Sequence, residues 1–333
     1  MSLAAGGARA LVTGGTGFVG GHLLNRLTAE GWSVRALVRD PARLGPAAAG
    51  IEVVTGDLGD LEALKRAVTG CEVIFHCAAN VATWGRLADY MAVNRQGVAN
   101  LVDAVAAAGP PLHRLVHLST VDVYGYPVAP CDETAPLDGA GFPYGESKLA
   151  GEILLRTRAA TLGLPVTVLR PANIMGPQSQ FVARIGAELR NGLMLMIDGG
   201  RANSGFTDVD NLLDLMLWAA EAEAARGECF NVRDQCDVDW ATLLTRLRSL
   251  IGGRGRILDL PFAVAEASAR ALELAYRLRP GREPLLHRLL VRMFGRTCGH
   301  SAEKIRRASG LRDRIDFDAA MARSAAWFNG TTH

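Results

Sequence analysis

Lysine is nearly missing from this chain of 333 residues. Three (Lys65, Lys148 and Lys304) stand among 36 basic residues, and arginine supplies the rest. Where a generic surface cation would serve, arginine is used, so a lysine at a special position points to a need for its compact, tunable ammonium group. An excess of one sign of charge is missing too. Against 36 basic residues stand 34 acidic ones, a formal net charge of +2, which offers nucleic acid no electrostatic footprint. No apolar run approaches 18 residues, so no transmembrane helix is expected. The start MSLAAGGARA lacks the cationic start and the apolar stretch of a secretion signal. Six cysteines (Cys71, Cys77, Cys131, Cys229, Cys236 and Cys298) are scattered without a CxxC pair. They read as reduced thiols, not as a disulfide framework or a zinc site, and the expected location is cytoplasmic. What is present is apolar: 49% hydrophobic residues over this length can bury a large core, in two domains or one elaborated one.

Short β-type runs alternate with helical stretches through the first half. Ala8–Val12, Ser33–Val38, Ile51–Val54, Val73–His76, Leu115–Leu118 and Val166–Leu169 are strand candidates. Phe18–Glu30, Leu61–Val68, Tyr90–Ala108 and Glu146–Leu162 carry helical periodicity. Such alternation predicts a parallel sheet covered by helices on both faces. After Pro171 helices dominate: Phe181–Arg190, Val209–Ala225, Val238–Leu250, Phe262–Leu278, Pro284–Phe294 and Phe317–Phe328. Two strand-like pieces, Glu228–Val232 and Arg256–Leu260, interrupt them, and the Pro/Gly cluster Arg279–Pro284 reads as a loop.

A glycine-rich turn, Thr13-Gly14-Gly15-Thr16-Gly17-Phe18-Val19-Gly20, follows the first strand and opens a helix. Glycines there permit a tight turn, let backbone amides approach a pyrophosphate and allow close helix packing, while the helix N-terminus favours the phosphates. In that context the turn predicts dinucleotide binding. The second strand ends at Val38-Arg39-Asp40. An acid at this place would bind the adenosine ribose of NAD, whereas arginine accommodates the 2′-phosphate of NADP. Arg39 comes first, with Arg35 nearby and Asp40 able to start a turn, so NADP(H) is favoured and NAD(H) stays open. Asp57, after the third strand, either contacts the adenine edge or caps a helix.

Tyr144-Gly145-Glu146-Ser147-Lys148 opens a helical stretch, which puts Tyr144 and Lys148 one turn apart on the same face. An ammonium beside a phenol stabilises phenolate, and a tuned tyrosine can protonate a carbonyl oxygen or take a proton from an alcohol. Ser119 and Thr120 end a predicted buried strand, where parallel sheets bind ligands. Either hydroxyl could hold a substrate oxygen for Tyr144, or both could simply terminate the strand.

TGGTGFVG, HCAA (residues 76–79), STVDVYG, YGESK and LRPANIMGP (residues 169–177) stand in an order that resembles the extended short-chain dehydrogenases/reductases, the branch that is similar to nucleotide-sugar epimerases. The resemblance covers nearly the whole chain and weakens after about residue 240. It implies an α/β fold: a Rossmann-type doubly wound parallel sheet over 1–175, with a return segment near 206–235. A smaller, mainly helical substrate or lid region would comprise 176–205 and 236–330. It further implies catalytic Thr120, Tyr144 and Lys148, with Asn94 supporting the site. Cofactor contacts would come from Gly14, Thr16, Gly17, Phe18, Val19, Gly20, Arg39, Asp57, Leu58, Ala78, Ala79, Tyr144, Lys148, Pro171 and Asn173. Lys148 would bind the nicotinamide ribose and depress the tyrosine pKa; His76 and His117 would be structural.

Within this branch, Phe206–Asn211 resembles 3-beta-hydroxysteroid dehydrogenase-like proteins, and LVRDP resembles dihydroflavonol reductases, which use NADPH. The leading expectation is reduction of a ketone on a bulky hydrophobic small molecule. An alternative is a nucleotide-sugar epimerase or dehydratase with retained NAD, in which Asn173 and Gly199–Gly205 hold the sugar nucleotide. A third is a non-catalytic dinucleotide sensor. The apolar, arginine-dotted stretch 285–294 reads as core, as a lid over an apolar substrate, or as a weak membrane-surface contact. No metal is implied; a homodimer through the helices at 90–108 and 145–162 is a family habit.

Overall fold

Seven parallel strands form the central sheet of the computed structural model, which describes residues 7–109, 111–276 and 283–331, with only the backbone at 46–48. The chain runs β1 (Arg9–Thr13), α1 (Phe18–Ala29), β2 (Ser33–Val38), β3 (Glu52–Thr55), α2 (Leu61–Val68), β4 (Val73–His76) and α3 (Leu87–Met91). Then come α4 (Gly97–Ala108), β5 (Arg114–Leu118), α5 (Pro143–Leu162), β6 (Val166–Pro171), β7 (Asn173–Met175), α6 (Gln180–Asn191), β8 (Leu193–Ile197) and β9 (Phe206–Asp208). The remainder is α7 (Val209–Glu221), β10 (Cys229–Val232), α8 (Trp240–Leu250), β11 (Arg256–Leu260), α9 (Phe262–Tyr276), α10 (Arg288–Gly295), α11 (Glu303–Ser309) and α12 (Phe317–Thr331). Strand order is β10-β6-β5-β4-β1-β2-β3. The winding reverses between β1 and β4, which opens a crevice at their carboxyl ends where such sheets hold ligands.

Burial explains why the inner strands lack alternation. β4 and β5 are buried at every position. Phe75 and Val116 face one core with Leu23, Leu27 and Met216, whereas Ile74 and Leu115 face a second with Leu64, Leu101 and Leu155. A sheet covered on both sides needs apolar residues on both. A third core joins Val182, Ile185, Trp240, Leu244, Phe294 and Phe328, and it includes the wall that faces the crevice.

The expected strands of the first half form within two residues of their predicted ends. β7, β8, β9 and α11 were not expected. β8 (LMLMI) is a five-residue apolar run whose partner, β11, lies some 60 residues away, so only tertiary pairing makes it a strand. The helix expected at Pro284 starts later, at Arg288, with His287 as its N-cap. Residues 277 and 278 of the predicted Phe262–Leu278 helix, and 279–282 of the Pro/Gly cluster, lie outside the described residues. No helix among the described residues is long and apolar enough to cross a membrane.

Candidate active site

Close backbone approach shapes the turn after β1. Gly14 has φ +75°, and a Cβ there would stand 2.7 Å from the Ala78 nitrogen. A Cβ on Gly20 would meet the Gly14 carbonyl oxygen at 2.2 Å, so α1 starts directly against the turn. Gly17 donates its N–H to Gly14 O (2.9 Å) and is the N-cap of α1. No side chain caps that helix, and no acid stands in its first turn. The free amides and the missing Cβ atoms form a cradle that fits a dinucleotide pyrophosphate.

One cavity of about 1260 Å³ begins at this turn and crosses the carboxyl ends of β1, β4, β5 and β6. Every residue expected to contact cofactor lines it: Gly14, Thr16, Gly17, Phe18, Val19, Gly20, Arg39, Asp57, Leu58, Ala78, Ala79, Tyr144, Lys148, Pro171 and Asn173. Thr120 lines it too. Asp57 accepts from the N–H groups of Gly59 and Asp60 and so builds a turn, while Asp60 is the residue that caps α2. Asp40 is spent on its own turn, accepting from Ala42 N (3.1 Å). Arg35 departs from the expectation. It is buried, binds the carbonyls of Arg66, Ala67 and Thr69, and pairs with Glu52 at 2.9 Å, tying β2 to the end of α2 away from the cavity. Arg43, which was not singled out, lines the cavity beside Arg39.

Tyr144 and Lys148 share a face of α5. The Lys148 ammonium donates to Leu118 O at 2.5 Å, and burial lowers its pKa to about 8 against the opposing pull of Glu152 and Cys77. Burial raises the Tyr144 pKa above that of a free phenol, Asp122 adds to the rise, and a hydrogen bond with Thr120 offsets part of it. This reverses the expected depression. A phenolate loses solvation in the cavity and faces a carboxylate, and the ammonium spends a donor on Leu118. The two hydroxyl candidates both line the cavity but have different partners. Ser119 donates to Glu152 (2.7 Å) inside a buried network with Arg170, whereas Thr120 stands beside Tyr144.

Asn94 does not line the cavity. It sits in a π-turn at Ala92–Gln96, accepts from Asn80 N (2.7 Å) and donates to Asn80 O and Ser147 Oγ (2.9 Å each). It is a brace between the loop after β4 and α5. Gly151 makes the brace possible, because a Cβ there would lie 2.1 Å from Asn94 O. His76 and His117 are buried and stacked at 5.2 Å, with pKa values pushed down by burial first and by Lys148 second.

Asp122 and Tyr126 also line the cavity, and no sequence expectation covers them. Burial raises the Asp122 carboxyl to about 6 against the lowering effect of a hydrogen bond from Tyr126. The signal was proximity to Thr120, two positions along, which a short 3₁₀ turn folds back toward the cavity. Beyond them the walls are largely apolar, with Phe181, Met194, Leu286, Leu289, Met293 and Phe294, and are interrupted by Thr83, Arg184 and Glu188. The stretch 285–294 therefore forms a cavity wall. Its Arg288 and Arg292 are paired with Glu273 (2.8 Å) and Glu266 (3.1 Å) of α9. Asn211 lies elsewhere, pinning Arg314 and Ile315 to α7. No cluster of metal-ligating side chains stands among the described residues.

Residues 10–232 match the NAD dependent epimerase/dehydratase family. A 4-hydroxy-2-methyl-3-oxo-4-farnesyl-3,4-dihydroquinoline-1-oxide ketoreductase of Stigmatella aurantiaca is 33% identical over 92% of each chain. A 2-alkyl-3-oxoalkanoate reductase of Shewanella oneidensis is 28% identical, over 90% of this chain and 80% of its own. The solved structure of MoeE5 in complex with UDP-glucose and NAD superposes with a TM-score of 0.77 at 23% identity, covering 98% of this chain and 100% of the other; it shows the shared fold. The chain belongs to the NAD dependent epimerase/dehydratase family and is an oxidoreductase of the extended short-chain dehydrogenase/reductase type.

Proposed function

We propose that this enzyme reduces a ketone on a bulky, apolar small molecule to the secondary alcohol, with NADPH as the favoured reductant. The observation that carries the reading is the continuity of one cavity from the glycine turn, past Thr120, Tyr144 and Lys148, to the walls of Phe181, Leu289 and Phe294. When bound, the dinucleotide supplies hydride. The chain's own residues do the rest. The turn amides and the first turn of α1 hold the pyrophosphate, and Arg39 with Arg43 faces the adenosine ribose side. Thr120 holds the substrate oxygen against the Tyr144 hydroxyl. Tyr144, kept protonated by burial and by Asp122, is in the acid form that reduction requires. Lys148 holds the ribose and positive charge nearby, and Asn94 keeps α5 and the loop after β4 in register.

In this reading 1–175 with the return near 206–235 serve the dinucleotide, and 176–205 with 236–330 serve the substrate, in the cytoplasm. The pairing of Arg288 and Arg292 with α9 supports a lid over the substrate more than a membrane contact. A homodimer through α4 and α5 belongs to the same proposal. The sugar-nucleotide alternative is weakened at one point: Gly200 packs on Ala241 and Gly205 on Cys298, and residues 199–205 do not line the cavity.

Tyr144→Phe tests the assignment. Turnover of NADPH with an apolar ketone should fall by about 10²–10⁴-fold, with dinucleotide binding retained. Undiminished turnover overturns it. Denaturing the purified protein and finding retained, non-exchanging NAD would put epimerisation first.

A further inference from the structure

At the outer end of the cavity three donors converge on a single carboxylate oxygen. Glu283 Oε1 accepts from Thr83 Oγ1 at 2.7 Å, from Arg184 Nη1 at 2.9 Å and from His287 Nε2 at 3.0 Å. The donors come from three separate parts of the chain: the loop after β4, helix α6 and the N-cap of α10. They are also tied to one another, since Arg184 Nη1 donates to Thr83 Oγ1 at 3.3 Å, and the His287 ring lies 5.5 Å from that of Trp84. His287 is only 1% exposed, and burial lowers its pKa, so the ring meets the carboxylate as a neutral N–H donor.

Glu283 comes from an irregular stretch ahead of α10 and is exposed as a residue. Burial tends to raise its carboxyl, but the bonds from Thr83, Arg184 and His287 outweigh that and leave it below the usual range. The site thus selects the anion. An ordinary surface ion pair has one or two donors and contributes little; three donors on one oxygen, one of them buried, make a receptor for a carboxylate. Two of the three, Thr83 and Arg184, line the cavity itself, beside the apolar Val81, Phe181 and Leu285.

We infer that Thr83, Arg184 and His287 form a substrate-carboxylate site at the cavity mouth, which Glu283 occupies until a ligand carboxylate replaces it. The ligand class is an acid with an apolar chain: its charge sits on Arg184 and its chain runs inward along Phe181 and Leu289. This deepens the proposed function, because it makes the ketone substrate an amphipathic keto acid.

The test is calorimetric titration of the purified full chain with octanoate and, as an uncharged match, 1-octanol. Glu283→Gln weakens the internal competitor and should tighten octanoate about tenfold, the scale of one charge-assisted hydrogen bond, with 1-octanol within about twofold. Arg184→Gln should weaken octanoate by at least about tenfold and leave 1-octanol as it was. Thr83→Val is the second variant should Arg184→Gln fail to fold, with the same direction expected. Octanoate binding that is unmoved by Glu283→Gln, or by both Arg184→Gln and Thr83→Val, overturns the inference. The titrations use no turnover, so they stand if the reductase reading fails. Reduction of neutral ketones without discrimination between octanoate and 1-octanol would reject the carboxylate site alone.

Discussion

Arg39→Gln should shift the cofactor preference without damaging the fold. Arg39 directly follows β2, is exposed, and lines the cavity; no ion-pair partner stands near it among the described residues. Its neighbour Asp40 accepts from Ala42 N and makes no ion pair with it among the described residues. A guanidinium on a ribose 2′-phosphate makes a charge-assisted bond of about 1.5–3 kcal/mol. Exposure and salt screening argue for the low end, and about 1.5 kcal/mol is roughly a tenfold change. The assay is steady-state kinetics with a saturating ketone, varying NADPH and NADH in turn. kcat/KM for NADPH should drop about tenfold while that for NADH stays nearly constant. Because the contact is electrostatic, added salt should shrink the proposed wild-type preference for NADPH more than the variant's, which keeps only the Arg43 contribution. Arg43 shares the rim, so a second substitution there should remove what preference remains. Equal losses with both cofactors, or an unchanged ratio, would refute the argument.

The buried ion pair beneath Ser119 should be costly to break: Glu152→Ala leaves Arg170 uncompensated and should cost about 3–5 kcal/mol in denaturant unfolding. A loss below about 1 kcal/mol would place that pair with surface bridges. Leu289→Asp sets a charge in the apolar wall, so KM for a long-chain ketone should rise well above that for a short one; parallel changes would remove Leu289 from the substrate path. Asp234 gives a pH test. Burial, with Asp313 adding to it, raises its carboxyl to about 8, although Asp208 N–H and Asn211 donate to it. The folded state therefore holds a proton that the unfolded chain releases near pH 4, and stability falls as pH rises from about 4 to about 8. Asp234→Asn removes that loss, so its melting temperature should exceed the wild type's at pH 8 by more than at pH 4. A difference independent of pH would show that Asp234 does not titrate in this window.

Local rules made much of this protein legible. Strand and helix periods depend on neighbours within a few residues, and so placed β1 to β6 and their helices. Glycine spacing located the turn, because only a residue without Cβ tolerates the contacts of Gly14 and Gly20. The four-residue step from Tyr144 to Lys148 puts both on one helix face whatever the surrounding fold. Other features depend on what comes near from far along the chain. Ser119 and Thr120 look equivalent in sequence; Glu152 and Arg170 claim one and leave the other to Tyr144. Arg35 is close to Arg39 in sequence, but the end of α2 binds it away from the cavity. β8 becomes a strand because β11 lies alongside, and Asp122 joins the site through a turn that no period announces. The Tyr144 pKa is the sharpest case. The adjacent lysine argued for a fall, but desolvation and a nearby carboxylate set the balance, and both arise only when distant segments close around the phenol.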